Sequence, residues 1–294
     1  MDPFSSEGEL LSIHNAFHQG QLTTVIEHNS SALAPENVIK AQVYKYRARI
    51  ALGEAEEVSA ELEGEDSPEL AAVKALAAYT TGNTSIAAAD IAKVISSSSK
   101  NGTVQVIGGI ILHLEGKSDD AVALLSEHQG NLEAVSLIVQ IRLCQNRTDL
   151  ALKEVQAAKR WAQDSLLVNL AESWVGLRVG GEKYQQAYYV FEELAQAPST
   201  STAPTLVGQA VAEIHLGRLE EAEVALQQAL AKDPKHAQAL ANAIVLSVLA
   251  GKDNSDQLSL LRNTMPDHPL LTDLEQKSEL FDRAAAKYAA KITA

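Results

Sequence analysis

Between Gly180 and Leu249 the chain states one plan twice. The segments GGEKYQQAYYVFEELAQAP and LGRLEEAEVALQQALAKDP follow one another with matching landmarks. In the second, Ala222, Leu226, Ala229 and Leu230 recur at three- and four-residue spacing, so they share one face of a helix. The alanines let two helix backbones approach closely, and Leu226 fills the space between them. Gly217 ends the preceding helix, because glycine enters a left-handed conformation without steric cost, and Pro234 stops the next one just beyond Lys232. The first segment repeats the plan with Gly181, Tyr184, Ala187 and Phe191. A chain carrying such units must stack helical hairpins, since one hairpin alone cannot bury its apolar face.

Gly217, Leu219, Ala222, Leu226, Ala229 and Pro234 fall at the spacing of the tetratricopeptide repeat. Turn residues of the same kind recur at Gly20, Gly53, Gly82, Gly116, Asn146, Gly181, Gly217 and Gly251, separated by 33, 29, 34, 30, 35, 36 and 34 residues. A small or apolar residue follows about five positions on, as Val58, Ala87, Ala121 and Ala151 show. The pattern predicts an all-α fold, a tetratricopeptide-like α-solenoid whose hairpins wind in a right-handed superhelix. It would be a single domain over 1–294 holding about eight degenerate repeats of roughly 34 residues. The clearest repeats are 168–202 and 203–236, and a capping region over 266–294 contains one long amphipathic helix after Pro266 and Pro269.

Some stretches break the rhythm. Residues 96–102, SSSSKNG, favour a loop, and the following TVQVIGGIILHL is rich in β-branched residues around Gly108 and Gly109. A strand excursion and a helix that packs closely through its glycines both fit, and the helix is preferred. Residues 198–204, PSTSTAP, read as an interhelix loop, while the first hairpin is expected to have a helix ending at Gly20 and another over 25–32.

Aromatic residues are only 4% of the chain while apolar residues reach 46%, which suits helix packing through small side chains. With 38 acidic against 24 basic residues the net charge is −14, so nucleic acid and anionic lipid are poor direct partners. The opening MDPFSSEGEL lacks a secretory pattern, and the apolar stretch 104–114 is far short of the ~20 residues that span a bilayer. A cytosolic protein is expected. Cys144, the one cysteine, sits among helix-patterned apolar residues in VQIRLCQN and reads as a packed small hydrophobe.

Signs of chemistry are sparse. His14 and His18 are four apart, a spacing used by metal sites, but no neighbouring Cys or carboxylate completes a ligand set. No phosphate-binding or nucleophile-elbow motif opens a strand-to-helix turn. Glu192 with Glu193 and Glu220 with Glu221 read as solvated helix faces. No enzyme, cofactor or metal is expected. Trp161, Trp174, Tyr184, Tyr188, Tyr189 and Phe191 concentrate the large aromatics in one region, either as core packing or as anchors in a groove.

Beyond its repeats, the chain resembles the ε-subunit family of coatomer, the COPI vesicle coat. The resemblance rests on ESWVGLRVGGEKYQQAYYVFEELA, on GQAVAEIHLGRLEEAEVALQQALAKDP followed by ALANAIVL, and more weakly on HNAFHQGQ, DSPELAAVKALAAY, HQGNLEAVSLIVQIRL and FDRAAAKYA. It implies a non-catalytic α-solenoid that grips the C-terminal domain of α-COP. It also implies a place in retrograde Golgi-to-ER and intra-Golgi transport, with indirect membrane attachment through the assembled coat and the small GTPase Arf.

First helices form the inner wall of such arrays, which makes Val207, Val211 and Ile214 candidates for partner contact. Their equivalents one repeat earlier are Asn169, Ser173 and Gly176. The alternative is a co-chaperone adaptor that clamps a chaperone's C-terminal carboxylate with basic first-helix residues. TLVGQAVAEIHL, the first helix of the clearest repeat, has no Lys or Arg for that clamp.

Overall fold

The computed structural model describes residues 6–289, and among them helices are the only regular elements. The opening MDPFS and the last five residues of the expected capping region lie outside the described residues. Contacts divide the chain into two compact units, Met1–Leu194 and Ala195–Ala294.

The N-terminal unit begins with a 3-10 turn, Ser6–Leu10, and continues through α1 (Leu11–His18), α2 (Leu22–Glu27), α3 (Pro35–Ala51) and α4 (Ala55–Glu61). Then come α5 (Pro68–Thr80), α6 (Thr84–Ser98), α7 (Gly102–Leu114) and α8 (Ser118–Leu125). It closes with α9 (Leu132–Cys144), α10 (Thr148–Ala162), α11 (Leu166–Val179) and most of α12 (Glu182–Gln196). The C-terminal unit holds α13 (Ala203–His215), α14 (Leu219–Lys232), α15 (Ala237–Leu249), α16 (Ser255–Thr264) and α17 (Pro269–Ala289). Odd-numbered helices through α15 are the first members of hairpins.

All the turn markers read from the sequence are left-handed. The seven glycines have φ between 62° and 95°, and Asn146 has φ 57°, the one such non-glycine residue among those described. Asparagine tolerates this region better than most residues, so Asn146 ends α9 as glycine ends the other first helices.

The stretch around Gly108 and Gly109 is helical. A Cβ on Gly108 would stand 2.9 Å from Ile95 Cδ1, and one on Gly109 would stand 2.8 Å from Leu125 Cγ. The glycines therefore let α7 sink against α6 and α8, and a run of β-branched residues follows the helix because tertiary packing outweighs their strand preference. The repeat residues occupy the interior: Ala187, Phe191, Ala222, Leu226 and Ala229 are buried, Leu219 packs against the same core, and Tyr184 is half-buried.

Several local expectations need correction. Helix α6 runs through Ser98, so the loop shrinks to residues 99–101; Ser96 and Ser97 donate to the carbonyls of Lys93 and Val94 and fit the helix that way. Helix α2 stops at Glu27, well before Ala32, because the Asn29 side chain accepts from the Ser31 amide and forms a local turn. Pro204 belongs to the first turn of α13, where its missing N–H costs nothing, behind a capping box made by Thr202 and Thr205. Cys144 is exposed at the end of α9, where the turn at Asn146 leaves its side chain uncovered. Within 266–294 the covering contacts come from the first turn of α17, beside α16 just before it. Leu258, Leu261, Leu270 and Leu271 pack on Leu240 and Ile244 of α15, whereas every residue from Thr272 to Tyr288 is exposed.

Candidate partner-binding cavity

Within the N-terminal unit the first helices and the loops beside them line an open cavity of about 900 Å³. Leu11 and His14 of α1, Val43, Tyr44 and Arg47 of α3, Gln105 of α7 and Leu132 and Glu133 of α9 line it, with Trp161 and Leu166 beyond them. Two asparagines fix its rim. Asn101 accepts from the Thr103 and Val104 amides at the start of α7 and donates to Glu69 at 2.6 Å; Asn131 accepts from the Glu133 and Ala134 amides at the start of α9. Each helix thus has two otherwise unpaired N-terminal donors satisfied by its N-cap.

Curvature of the unit brings the end of α1 to the start of α9. The Glu133 carboxylate accepts from His18 Nε2 at 2.7 Å and from Arg47 Nη1 at 3.0 Å, across sequence separations of 115 and 86 residues. The side chains of Arg47 and Glu133 are each only 9% exposed. The Arg47 guanidinium also lies 4.5 Å from the centre of the Phe17 ring and 5.6 Å from that of Tyr44, so its charge is held by a carboxylate and two aromatic faces. Burial by itself raises the Glu133 carboxyl, but Arg47 and His18 outweigh it and hold the group far below the usual carboxylate range. His14, its ring tilted against that of His18 with centroids 4.6 Å apart, is pushed down to about 4, first by burial and then by repulsion from His18.

Local spacing could not reveal this cluster, because the carboxylate that completes it comes from another repeat. Ligand atoms of His14, His18 and Glu133 lie within 4.8 Å of one another, which corrects the expectation that no carboxylate stands near the histidines. A metal ion there would have to displace the Arg47 cation from the carboxylate. The arrangement works as an ion-pair knot that holds the ends of the curved wall together.

The other sequence-selected residues are spread out. Val207 is buried, and Val211 and Ile214 are half-buried against the core of α13 and α14. Ser173 is buried and donates to the Asn169 carbonyl at 2.8 Å, while Asn169 itself is half-buried. Gly176 is a close-packing position: a Cβ there would meet the Lys183 carbonyl at 3.3 Å. The aromatic group divides. Phe191 is core, Trp174 packs against the α9–α11 cluster, Tyr189 is 60% exposed, and Trp161 is 51% exposed on the cavity.

A family model described as the coatomer epsilon subunit matches residues 6–289. The chain belongs to the coatomer epsilon subunit family. Its relatives in this family include coatomer subunit epsilon-2 of Arabidopsis thaliana, 33% identical over 94% of this chain and 95% of the relative. The probable coatomer subunit epsilon of Schizosaccharomyces pombe is 31% identical over 97% and 96%. Among solved structures, a chain of the APC/C hetero-tetramer Cut9–Hcn1 is similar with a TM-score of 0.62 at 15% identity, covering 90% of this chain and 54% of that one. A tetratricopeptide repeat protein from Parabacteroides merdae ATCC 43184 has a TM-score of 0.57 at 11% identity, covering 92% and 96%. These two likenesses speak for the fold, an all-α tetratricopeptide-like solenoid. Membership of the family makes the chain a coatomer subunit, and repeat fold and family together point to a structural role. None of the described helices is long and apolar enough to cross a membrane.

Proposed function

We propose that the chain is a non-catalytic scaffold subunit of the COPI coat that binds and stabilises the C-terminal domain of α-COP. The observation that carries this reading is the cavity walled by first helices with Trp161 exposed on it. A half-exposed indole beside a preformed apolar and polar wall has the make-up of an interface anchor, because it buries a large area with little side-chain entropy to lose. The cavity would receive a protruding segment of α-COP, and the exposed edges of Val211 and Ile214 on α13 are a lesser contact.

The remaining parts of the reading follow from coat membership. The protein would act in retrograde Golgi-to-ER and intra-Golgi transport, cytoplasmic and peripheral on Golgi membranes and COPI vesicles. Attachment would come through the assembled coat and Arf, in keeping with a net charge of −14 that disfavours direct binding to anionic lipid. Arg47 is already engaged by Glu133 and is not available to a carboxylate clamp of the co-chaperone kind.

Light scattering after size exclusion, on the chain mixed with purified α-COP C-terminal domain, tests the proposal. A one-to-one complex is expected, and Trp161→Ala should weaken it by about tenfold or more, the mark of an anchor residue. Two folded proteins that stay apart at micromolar concentration would sink the reading.

A further inference from the structure

Two neutral side chains on the cavity wall carry hydrogen-bonding atoms that the chain itself leaves unused. Gln105 of α7 is only 2% exposed, yet it lines the cavity. Its Nε2 donates to the Ser99 carbonyl at 2.9 Å, which fixes the amide's orientation, and its Oε1 accepts from nothing among the described residues. Water can satisfy such an acceptor while the cavity is open. An occupant that excludes the water must bring a donor in its place.

Asn131 supplies the complementary atom. As the N-cap of α9 it accepts from two amides through Oδ1, which leaves Nδ2 to donate elsewhere. Asn101, the N-cap of α7, does the same work, and its Nδ2 is taken by Glu69, the second residue of α5. The second residue of α7 is Thr103, so the carboxylate that occupies Asn101 has no counterpart for Asn131. Among the described residues Asn131 Nδ2 donates to nothing. That nitrogen lies over Gly102, 3.1 Å from where a Cβ would stand, and Gly102 shares one face of α7 with Gln105. A free donor and a free acceptor thus adjoin the same face of one helix.

We infer that Asn131 and Gln105 bind the main chain of the segment that enters the cavity, Asn131 Nδ2 donating to a backbone carbonyl and Gln105 Oε1 accepting from a backbone N–H. The inference rests on the α-COP reading and says how that segment is held. One donor beside one acceptor, neither charged, matches what a peptide group offers. A carboxylate would be poorly served by Gln105 Oε1 and an ammonium by Asn131 Nδ2, so the pair favours a neutral group that carries both functions. A chain that leaves water for the wall must find partners for its peptide groups, and these two atoms provide them. Trp161 supplies the anchor, and the two amides set the register of the segment without reading its side chains.

Titration calorimetry of the full chain with the α-COP C-terminal domain tests the inference. Asn131→Ser and Asn131→Asp both keep an N-cap acceptor for α9, so their melting temperatures should hold, while both lose the Nδ2 donor. The serine variant should bind about threefold to tenfold more weakly than the wild type. The aspartate variant should be weaker still, because it sets a carboxylate against the partner's carbonyl. Gln105→Met fills similar space without an acceptor and should weaken binding about as much as the serine. Binding by Asn131→Asp as tight as that of the wild type, or tighter, would mean that no carbonyl stands opposite and would overturn the inference. So would wild-type binding by all three variants when Trp161→Ala is impaired, an outcome that leaves the α-COP reading standing. A wild-type chain that does not bind the domain at all removes both.

Discussion

The N-terminal unit buries a guanidinium and a carboxylate, while α17 exposes a phenylalanine and a tyrosine. Each inverts the usual placement of its residue type, and for opposite reasons. Arg47 and Glu133 are inside because curvature supplies each with the other and adds Phe17, Tyr44 and His18 around them. Phe281 and Tyr288 are outside because the helix that carries them runs past the last surface that could receive it. Placement thus follows the partners available in three dimensions, with hydropathy only setting the cost of having none.

The sharpest way to break this contrast is at the knot. Glu133→Gln leaves Arg47 buried without its counter-charge and should cost about 3 to 5 kcal/mol, read as a fall in the urea midpoint. A loss below about 1 kcal/mol would mean that water screens the pair as it does at a surface. The core of the C-terminal unit supplies the next test. Ala222, fully buried, has no room for growth, and Ala222→Leu should cost about 1 to 3 kcal/mol; an unchanged melting temperature would mean that the α13–α14 contact is looser than it looks.

Acid should weaken the knot's surroundings before it reaches the carboxylate. His14 has a folded pKa near 4 against an ordinary 6.5, so the unfolded chain takes up its proton first and stability falls as pH drops from about 6.5 towards 4. Between pH 7.5 and 5.5 this amounts to about 1 kcal/mol in thermal melts, and His14→Gln should remove that part. His28, His236 and His268 are shifted in the same direction, mainly by burial, so a residual slope should survive in the variant. Glu133 acts at lower pH. Its depressed pKa contributes stability above about 4.5 that is lost as acid protonates the folded carboxylate. The smallest effect belongs to α17, where Phe281→Ser should change the stability of the chain by less than about 0.5 kcal/mol. A larger loss would show that the Phe281 ring is already covered within one molecule.

What could be read from the sequence was what neighbours along the chain decide. The left-handed turns were legible because only glycine or asparagine ends a helix in that way, and Asn146 could be placed among the glycines by its spacing. Gly108 and Gly109 stood at the limit of legibility: their β-branched surroundings allow a strand, the helix was preferred because glycines permit close packing, and Ile95, Leu124 and Leu125 are the side chains that fill the space. Glu133 was invisible as the partner of His18, since no periodicity marks a contact between residues 115 apart. Trp161 was grouped with Tyr184 and Phe191 by nearness in sequence, yet the fold sets it on the cavity that residues of α1 and α3 also line. The amphipathic pattern of α17 announced an apolar face correctly and could not say that the rest of the chain leaves it bare.

The knot at Glu133 also sets a clock on the newly made protein. Stacked hairpins can fold one after another as they emerge, but Arg47 and His18 must wait 86 and 115 residues for their counter-charge. At roughly 5 to 20 residues per second, ribosomal synthesis keeps His18 waiting for about 6 to 23 seconds. During that interval the nascent chain shows a cationic, aromatic face around Phe17, Tyr44 and Arg47, open to any chaperone that patrols the ribosome exit.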